Sequence, residues 1–323
     1  MNGERTVIVL FNLGGPDKPE AVEPFLRNLF SDPAIIRAPG PVRWLLARLI
    51  SKRRAPVARE IYANLGGGSP ILANTQAQAT ALAAALADLG ELRVFIAMRY
   101  WHPRADTVAR EVAAWKPSRV LLLPLYPQFS TTTTQSSFDE WRRAAAAAGL
   151  AAPTVSVRSY AEEPGFIEAL AGAIRPKLAE ARAAGRPRLL LSAHGLPKKI
   201  VAAGDPYQRE VEATAAALKR ALADEPGLDA VVCYQSRVGP LEWIGPSTQS
   251  EVERAGQDRV PVVMAPIAFV SEHSETLVEL DIELKHVAAA AGVPLYLRAP
   301  TVDVSAAFIA GLARLARKAL QGG

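Results

Sequence analysis

Short apolar runs rich in β-branched residues alternate along this chain with longer alanine-rich stretches. The runs TVIVLFN (6–12), RVFIAMRY (93–100), RVLLLPLY (119–126), RLLLSAH (188–194), DAVVCYQ (229–235), VPVVMAPIAF (260–269) and PLYLR (294–298) are nearly continuous in apolar character, so they predict strands buried on both faces. Between them, TQAQATALAAALADLG, DEWRRAAAAAG and VEATAAALKRALADE place apolar residues at helical spacing. Strands alternating with helices predict an α/β chain with parallel sheets flanked by helices. The strands are too many for one mononucleotide-sized unit. The pattern divides in SYAEEPG, giving domains over 1–160 and 161–323, the second ending in a closing helix over 304–320.

Length and composition agree with that division. At about 150 residues per domain, 323 residues make two. Half the residues are hydrophobic and 21% are charged, enough to build a core without covalent staples. The single cysteine, Cys233, excludes an internal disulfide and a four-cysteine zinc or iron–sulfur site, and it suits a reducing cytosol. The first apolar run is followed by Asn12 and two glycines rather than a cleavage pattern, which reads as a strand and not a signal peptide. No run approaches the ~18 apolar residues of a membrane span. A net charge of +5 admits anionic ligands or a membrane surface, and no basic stripe interleaved with aromatics points to nucleic acid.

In open parallel sheets, ligands bind beyond the carboxyl ends of the strands. Here those ends carry Asn12, Arg99 with Tyr100, Tyr126, His194, Gln235 with Arg237, and SEHSE after Phe269. In SAHGLP (192–197), Gly195 permits a sharp turn and Pro197 stops the strand, so His194 is held at a rim. A strand-end histidine taken alone more often bonds a neighbouring loop; in this company it suits proton acceptance or metal ligation. In PIAFVSEHSETLVELDIEL (266–284), Ser271 suits a helix N-cap, and Glu272, Glu275, Glu279 and Glu283 then fall at steps of three and four on one face. Such a ridge is either a solvated acidic face or a path for cations and protons. His273 adds a further ring nitrogen.

Other segments fit an anionic, partly apolar ligand. MRYWHPRAD (98–106) ends a strand with Arg99. YPQFSTTTTQSSFDEW (126–141) lines the approach to a helix with hydroxyls, an arrangement that caps a helix or binds carboxylate or phosphate. GGGSP (66–70) lacks the lysine and the spacing of nucleotide loops. PGPVRWLLARLISKRRAP (39–56) is basic and amphipathic, which suits a surface helix, a membrane surface or an acidic apolar ligand.

Taken together, FNLGGP (11–16), KRRAP (52–56), GGGSPI (66–71), MRYWHP (98–103), YPQFSTTTTQSS (126–137), SAHGLP (192–197), GDPYQREV (204–211), QSRVGPLEWIGP (235–246) and PIAFVSEHSETLVELDIE (266–283) resemble the ordered motifs of the ferrochelatase family over nearly the whole chain. The resemblance implies two Rossmann-like, chelatase-type domains with a porphyrin cleft between them. It also implies insertion of Fe2+ into protoporphyrin IX to give protohaem, the last step of haem biosynthesis, by a metal-chelatase lyase. His194 matches the family's histidine and Glu275 its glutamate across the macrocycle. Glu272, His273 and Glu279 match its acidic helix, as a proton or metal relay. Leu13, Arg53, Arg54, Ser69, Arg99, Tyr126, Ser130 and Trp243 fall in runs that line the family's pocket, and 39–56 resembles its hydrophobic lip.

Metalating a porphyrin requires a proton acceptor and a path for a divalent ion. The reading assigns His194 and Glu275 as catalytic and metal-binding residues, with Glu275 expected to face His194 from the other domain. Iron is a substrate, and no permanently bound cofactor is expected. Some family members hold a [2Fe–2S] cluster through four cysteines, three in a C-terminal extension; with Cys233 alone and little chain after the last helix, no cluster is expected. The expected location is the cytoplasm, with peripheral contact to the inner membrane through the lip. Coproporphyrin III as substrate, and a non-catalytic two-lobed haem or metal carrier, are the competing readings.

Overall fold

A computed structural model of the chain describes residues 5–237 and 239–322. They form two compact units. One runs to Ser159 and is taken up again from Leu312; the other is Tyr160–Gly311. The boundary falls one residue before the expected one. The C-terminal helix, expected wholly in the second domain, is divided between the two units.

The first unit contains β1 (Arg5–Asn12), α1 (Val22–Ser31), α2 (Gly40–Ala63), α3 (Ile71–Ala85), β2 (Glu91–Met98), α4 (Ala105–Trp115), β3 (Arg119–Pro124), α5 (Thr134–Ala147) and β4 (Thr154–Ser156). All strands pair parallel in the order β2-β1-β3-β4. Residues 6–12 of β1 are buried without interruption, as a run lacking polar alternation requires. Val7, Val9 and Phe11 pack with Val108 and Val112 of α4 and with Phe138 and Trp141 of α5. β4 has no counterpart among the expected strands. It is three residues long, follows Pro153, and is buried at none of its positions, so no apolar run marks it.

The second unit contains α6 (Pro164–Ala181), β5 (Arg188–His194), α7 (Lys198–Ala202), α8 (Tyr207–Ala221), β6 (Asp229–Gln235), α9 (Thr248–Gln257), β7 (Val262–Pro266), α10 (Ser274–Leu277), a π-helical turn (Glu279–Glu283), α11 (Leu284–Ala291) and β8 (Tyr296–Arg298). Its strands are also parallel, in the order β6-β5-β7-β8, the order of the first sheet repeated. α12 (Ala306–Gln321) begins in this unit.

In each sheet the strand order reverses beside the first strand of that sheet. Such a switch point opens a crevice beyond the strand ends. In the first unit Leu13 follows β1 and Tyr126 lies just beyond β3; in the second, His194 ends β5 and Phe269–Glu275 follows β7. The β7 strand ends at Pro266, three residues short of the expected run.

The expected single carboxylate face is corrected by the structure. His273, not Ser271, is the N-cap of α10, so Glu272 lies before the helix. Both Ile282 and Glu283 donate backbone N–H to the Val278 carbonyl, the latter as an i→i+5 bond. That π turn adds a residue to the helical period beyond Glu279, so Glu283 no longer continues the face begun at Glu275. Glu283 is exposed and Glu279 is turned toward the end of β6.

Candidate functional site

His194 is fixed by the turn that follows it. Gly195 donates its N–H to the Gln235 carbonyl at 2.7 Å. A Cβ at 195 would sit 2.8 Å from that oxygen and 3.1 Å from the Trp243 ring, so only glycine allows β5 to close on the end of β6. Trp243 is buried, and Pro197 bridges to it in antiparallel fashion. Trp243 therefore supports the HGLP turn directly. Its indole N–H has no acceptor among the described residues.

The His194 ring has a defined polarity. Nδ1 lies 2.5 Å from the Gly195 carbonyl oxygen. A carbonyl only accepts, so Nδ1 carries the proton, and the neutral ring presents an open lone pair at Nε2. Nε2 lies 3.7 Å from Glu275 Oε2, and the same oxygen is 3.8 Å from His273 Nε2. Both atoms at the first gap bear electron pairs, so what stabilises that gap is a proton or a cation.

His194 and Glu275 belong to one unit, which corrects the expectation that Glu275 approaches from the other domain. A flat ring inserted between them would need two van der Waals separations, about 7 Å in all. At 3.7 Å the pair can only share one side of a planar ligand. Among the described residues, no group of three or more His, Cys, Asp or Glu side chains is arranged to hold a metal ion. The two-residue gap is nonetheless compatible with a shared ion, since ligand atoms about 2.1 Å from one metal can be up to about 4.2 Å apart.

Behind Glu275 the carboxylates are held in different ways. Glu279 accepts from Ser236 N–H at 2.7 Å, the Ser236 hydroxyl at 2.5 Å and Gln235 Nε2 at 3.1 Å. Gln235 Nε2 also donates to the Glu275 carbonyl at 2.8 Å. Ser236 has φ 61°, a left-handed conformation that aims its N–H and hydroxyl at one carboxylate. Burial and the neighbouring Glu275 still push the Glu279 carboxyl up, the Ser236 and Gln235 donors only partly opposing them. Glu272 behaves in the opposite sense. Burial pushes it up, but the Arg298 guanidinium, with Thr276 and the Thr301 N–H, outweighs burial and leaves it below the usual range. Arg298 Nη1 is 2.8 Å from Glu272, and Nε and Nη2 grip Asp281 at 2.6 and 2.8 Å. His273 is buried, which lowers its pKa from 6.5 despite the charges of Glu275 and Glu272. Burial, with Tyr234 and Glu275 nearby, pushes the Tyr207 hydroxyl up, so it remains a protonated neighbour.

The remaining candidates lie in the first unit. Leu13 is half-buried among Val22, Phe25, Tyr62 and Tyr100. Arg53 and Arg54 are exposed on α2, Arg54 lying over the Phe30 ring at 5.8 Å. Ser69 packs against Gly15, where a Cβ would come within 2.6 Å of it, and its N–H donates to the Pro16 carbonyl. Ser130 is buried and its hydroxyl pairs with that of Thr132 at 2.8 Å. Burial pushes the Tyr126 hydroxyl up. Arg99 is engaged by Asp32 and Ser136.

A ferrochelatase family model matches residues 5–320. The chain belongs to the ferrochelatase family. It is 53% identical to a ferrochelatase of Caulobacter vibrioides over 317 residues, covering 97% of this chain and 90% of that one. A ferrochelatase of Phenylobacterium zucineum is 52% identical over 319 residues, covering 98% and 92%. Among solved structures, SirB from Bacillus subtilis with Fe3+ superposes with TM-score 0.57 at 9% identity, covering 98% of this chain and 95% of that one. CbiX gives TM-score 0.51 at 16% identity, covering 98% and 99%. These likenesses show a chelatase fold, and the family makes the chain a metal-chelatase lyase.

Sequence reasoning passed over several residues that shape the candidate site. Gln235 stood at a strand end, but its double hold on Glu275 and Glu279 needs the fold. Ser236 carries no sequence signal for its left-handed backbone. Arg298 ends PLYLR, so its placement at a strand end was readable, but its acid partners were not. Asp32 follows α1 in FSDP, a helix-stop pattern with no hint of the groups it would gather.

Proposed function

We propose that this ferrochelatase inserts Fe2+ into protoporphyrin IX to form protohaem. Two pyrrole protons leave as the metal enters. His194 accepts the first through Nε2 and passes it to Glu275 before accepting the second, and Glu275 meanwhile stabilises the imidazolium that forms or shares the entering ion. The observation that carries this reading is the open Nε2 lone pair held 3.7 Å from a carboxylate oxygen. The buried ring of His273, held neutral, and the Glu279 carboxyl, pushed toward its protonated form, are the groups placed to pass protons away from Glu275. Glu272 serves that relay less well, because its charge is matched by Arg298.

Leu13, Arg53, Arg54, Ser69, Tyr126, Ser130 and Trp243 are proposed porphyrin contacts. Close-fitting contacts remote from the pyrrole nitrogens offset the cost of bending the macrocycle to expose them. The exposed apolar face of α2 favours the less polar protoporphyrin over coproporphyrin III, and suits peripheral contact with the inner membrane. No helix among the described residues is long and apolar enough to cross a membrane.

Anaerobic incubation with Fe2+ and each porphyrin, following loss of free-porphyrin fluorescence, tests the assignment. Faster loss with protoporphyrin IX than with coproporphyrin III is the expected result. A reversed preference contradicts the substrate choice. Binding of porphyrin without conversion of its absorbance to that of a metal complex contradicts catalysis and favours a carrier.

A further inference from the structure

The buried knot around Asp32 does work that the site description does not use. Asp32 caps the C-terminus of α1 and its side chain is 2% exposed. Its Oδ2 accepts from Arg99 Nη2 at 2.7 Å, the Tyr100 hydroxyl at 2.7 Å and the Ser136 hydroxyl at 2.5 Å. Its Oδ1 accepts from Ala34 N–H at 2.8 Å. Four donors on one carboxylate offset its desolvation and make it a fixed point.

Arg99 is equally committed to the protein. Its Nε donates to Ser136 Oγ at 2.7 Å, its Nη2 to Asp32, and its Nη1 lies 4.0 Å from Glu140 Oε2. The guanidinium also covers the Tyr100 ring at 4.9 Å. A fork bonded through two nitrogens, with the third facing the Glu140 carboxylate, is poorly placed to grip a substrate carboxylate as well.

The knot gathers three sequence-distant pieces, each attached to a proposed porphyrin contact. Arg99 and Tyr100 donate backbone N–H to Asn12 and Leu13, both at 2.9 Å, which sets Leu13. Ser136 lies in the first turn of α5, where Gln135 N–H donates to the Ser130 carbonyl at 3.1 Å, tying Ser130 to the same helix end. The chain leaving Asp32 leads directly into α2, which carries Arg53 and Arg54.

We infer that Asp32 is a positioning residue, which through Arg99, Tyr100 and Ser136 sets the porphyrin contacts of the first unit, and that Arg99 belongs to this lock rather than to the substrate's contacts. The inference rests on the proposed function. Its signature is weaker porphyrin binding with unaltered chemistry, because the groups that handle protons and iron lie in the other unit.

The test compares Asp32→Asn, Arg99→Gln, the double variant and the milder Ser136→Ala. Metalation is measured with porphyrin varied, and porphyrin affinity is measured by fluorescence without iron. Asp32→Asn and Arg99→Gln should each raise KM and Kd for porphyrin about tenfold, with kcat and its pH profile kept within about twofold. The double variant should be no worse than the worse single one, since the two side chains act as one unit. Ser136→Ala, which removes one donor, should raise KM about threefold and serves if Asp32→Asn does not fold. A wild-type Kd in Asp32→Asn or in Ser136→Ala overturns the inference, as does a multiplicative penalty in the double variant or a shifted kcat profile. If the wild type binds porphyrin but does not metalate it, the proposed function fails, and the iron-free affinities still decide the role of Asp32.

Discussion

At the scale of single residues, the site is organised by which nitrogen or oxygen is already occupied. The Gly195 carbonyl occupies His194 Nδ1, which leaves Nε2 as the open ring nitrogen to which proton acceptance is proposed. Arg298 occupies Glu272, and Ser236 with Gln235 occupies Glu279, which leaves Glu275 as the carboxylate facing both imidazoles. The strand-end placement of His194 and Glu275 was legible, because a histidine leaving a buried strand before Gly195 and an acid following a strand end are local signals. The sequence did not reveal who holds whom, since each partner comes from another strand. His273 gives a pH prediction at this scale. Burial lowers its pKa below 6.5, so below that value the unfolded chain binds more protons than the folded one. Its contribution therefore costs stability as pH falls from 6.5 toward the folded value, and the cost is absent above that window. Denaturation midpoints at neutral pH and at about pH 5.5 should draw closer together in His273→Asn than in the wild type. An undiminished loss at the lower pH would show that another group governs the acid side.

Elements were legible where one physical pattern dominated them. Seven strands stand out because each carries a continuous apolar run, and β1, β3, β5 and β7 are buried along nearly their whole length, as parallel strands covered on both faces require. β4 was not readable, being short and unburied, and the π turn was missed because a fixed 3.6 period admits no inserted residue. α2 was read only in part, as the lip 39–56 of a helix that continues through Pro56 to Ala63. In the structure α2 leaves Trp44, Leu45 and Leu49 exposed at 61%, 52% and 57%, beside Arg48, Lys52, Arg53 and Arg54. An apolar stripe flanked by cations binds an anionic lipid surface by burial and by charge together. Sedimentation with vesicles of mixed neutral and anionic lipid should recover the wild type, and less of it at high salt. Replacing Trp44, Leu45 and Leu49 with serine should weaken binding at least about tenfold, since each buried side chain of that size contributes roughly 1.5–3 kcal/mol. Equal recovery of that variant would remove α2 as the membrane contact.

For the whole molecule, two parallel sheets with one repeated strand order each place a set of candidate residues at a switch point. The fold class and the number of units could be read from alternation and length. The course of α12 could not, because which unit a terminal helix joins depends on tertiary contacts such as Arg317 with Asp88, bonded at 2.7 Å through both oxygens. In the proposed function, proton acceptance and metal handling fall to the second unit, with His194 at their centre. The most direct test is single-turnover metalation of protoporphyrin IX by His194→Ala under anaerobic conditions, with thermal melting and iron-free porphyrin affinity measured alongside. The account predicts an intact fold, near-wild-type porphyrin affinity and a metalation rate lower by about 100-fold or more. Metalation at the wild-type rate in that variant would contradict it.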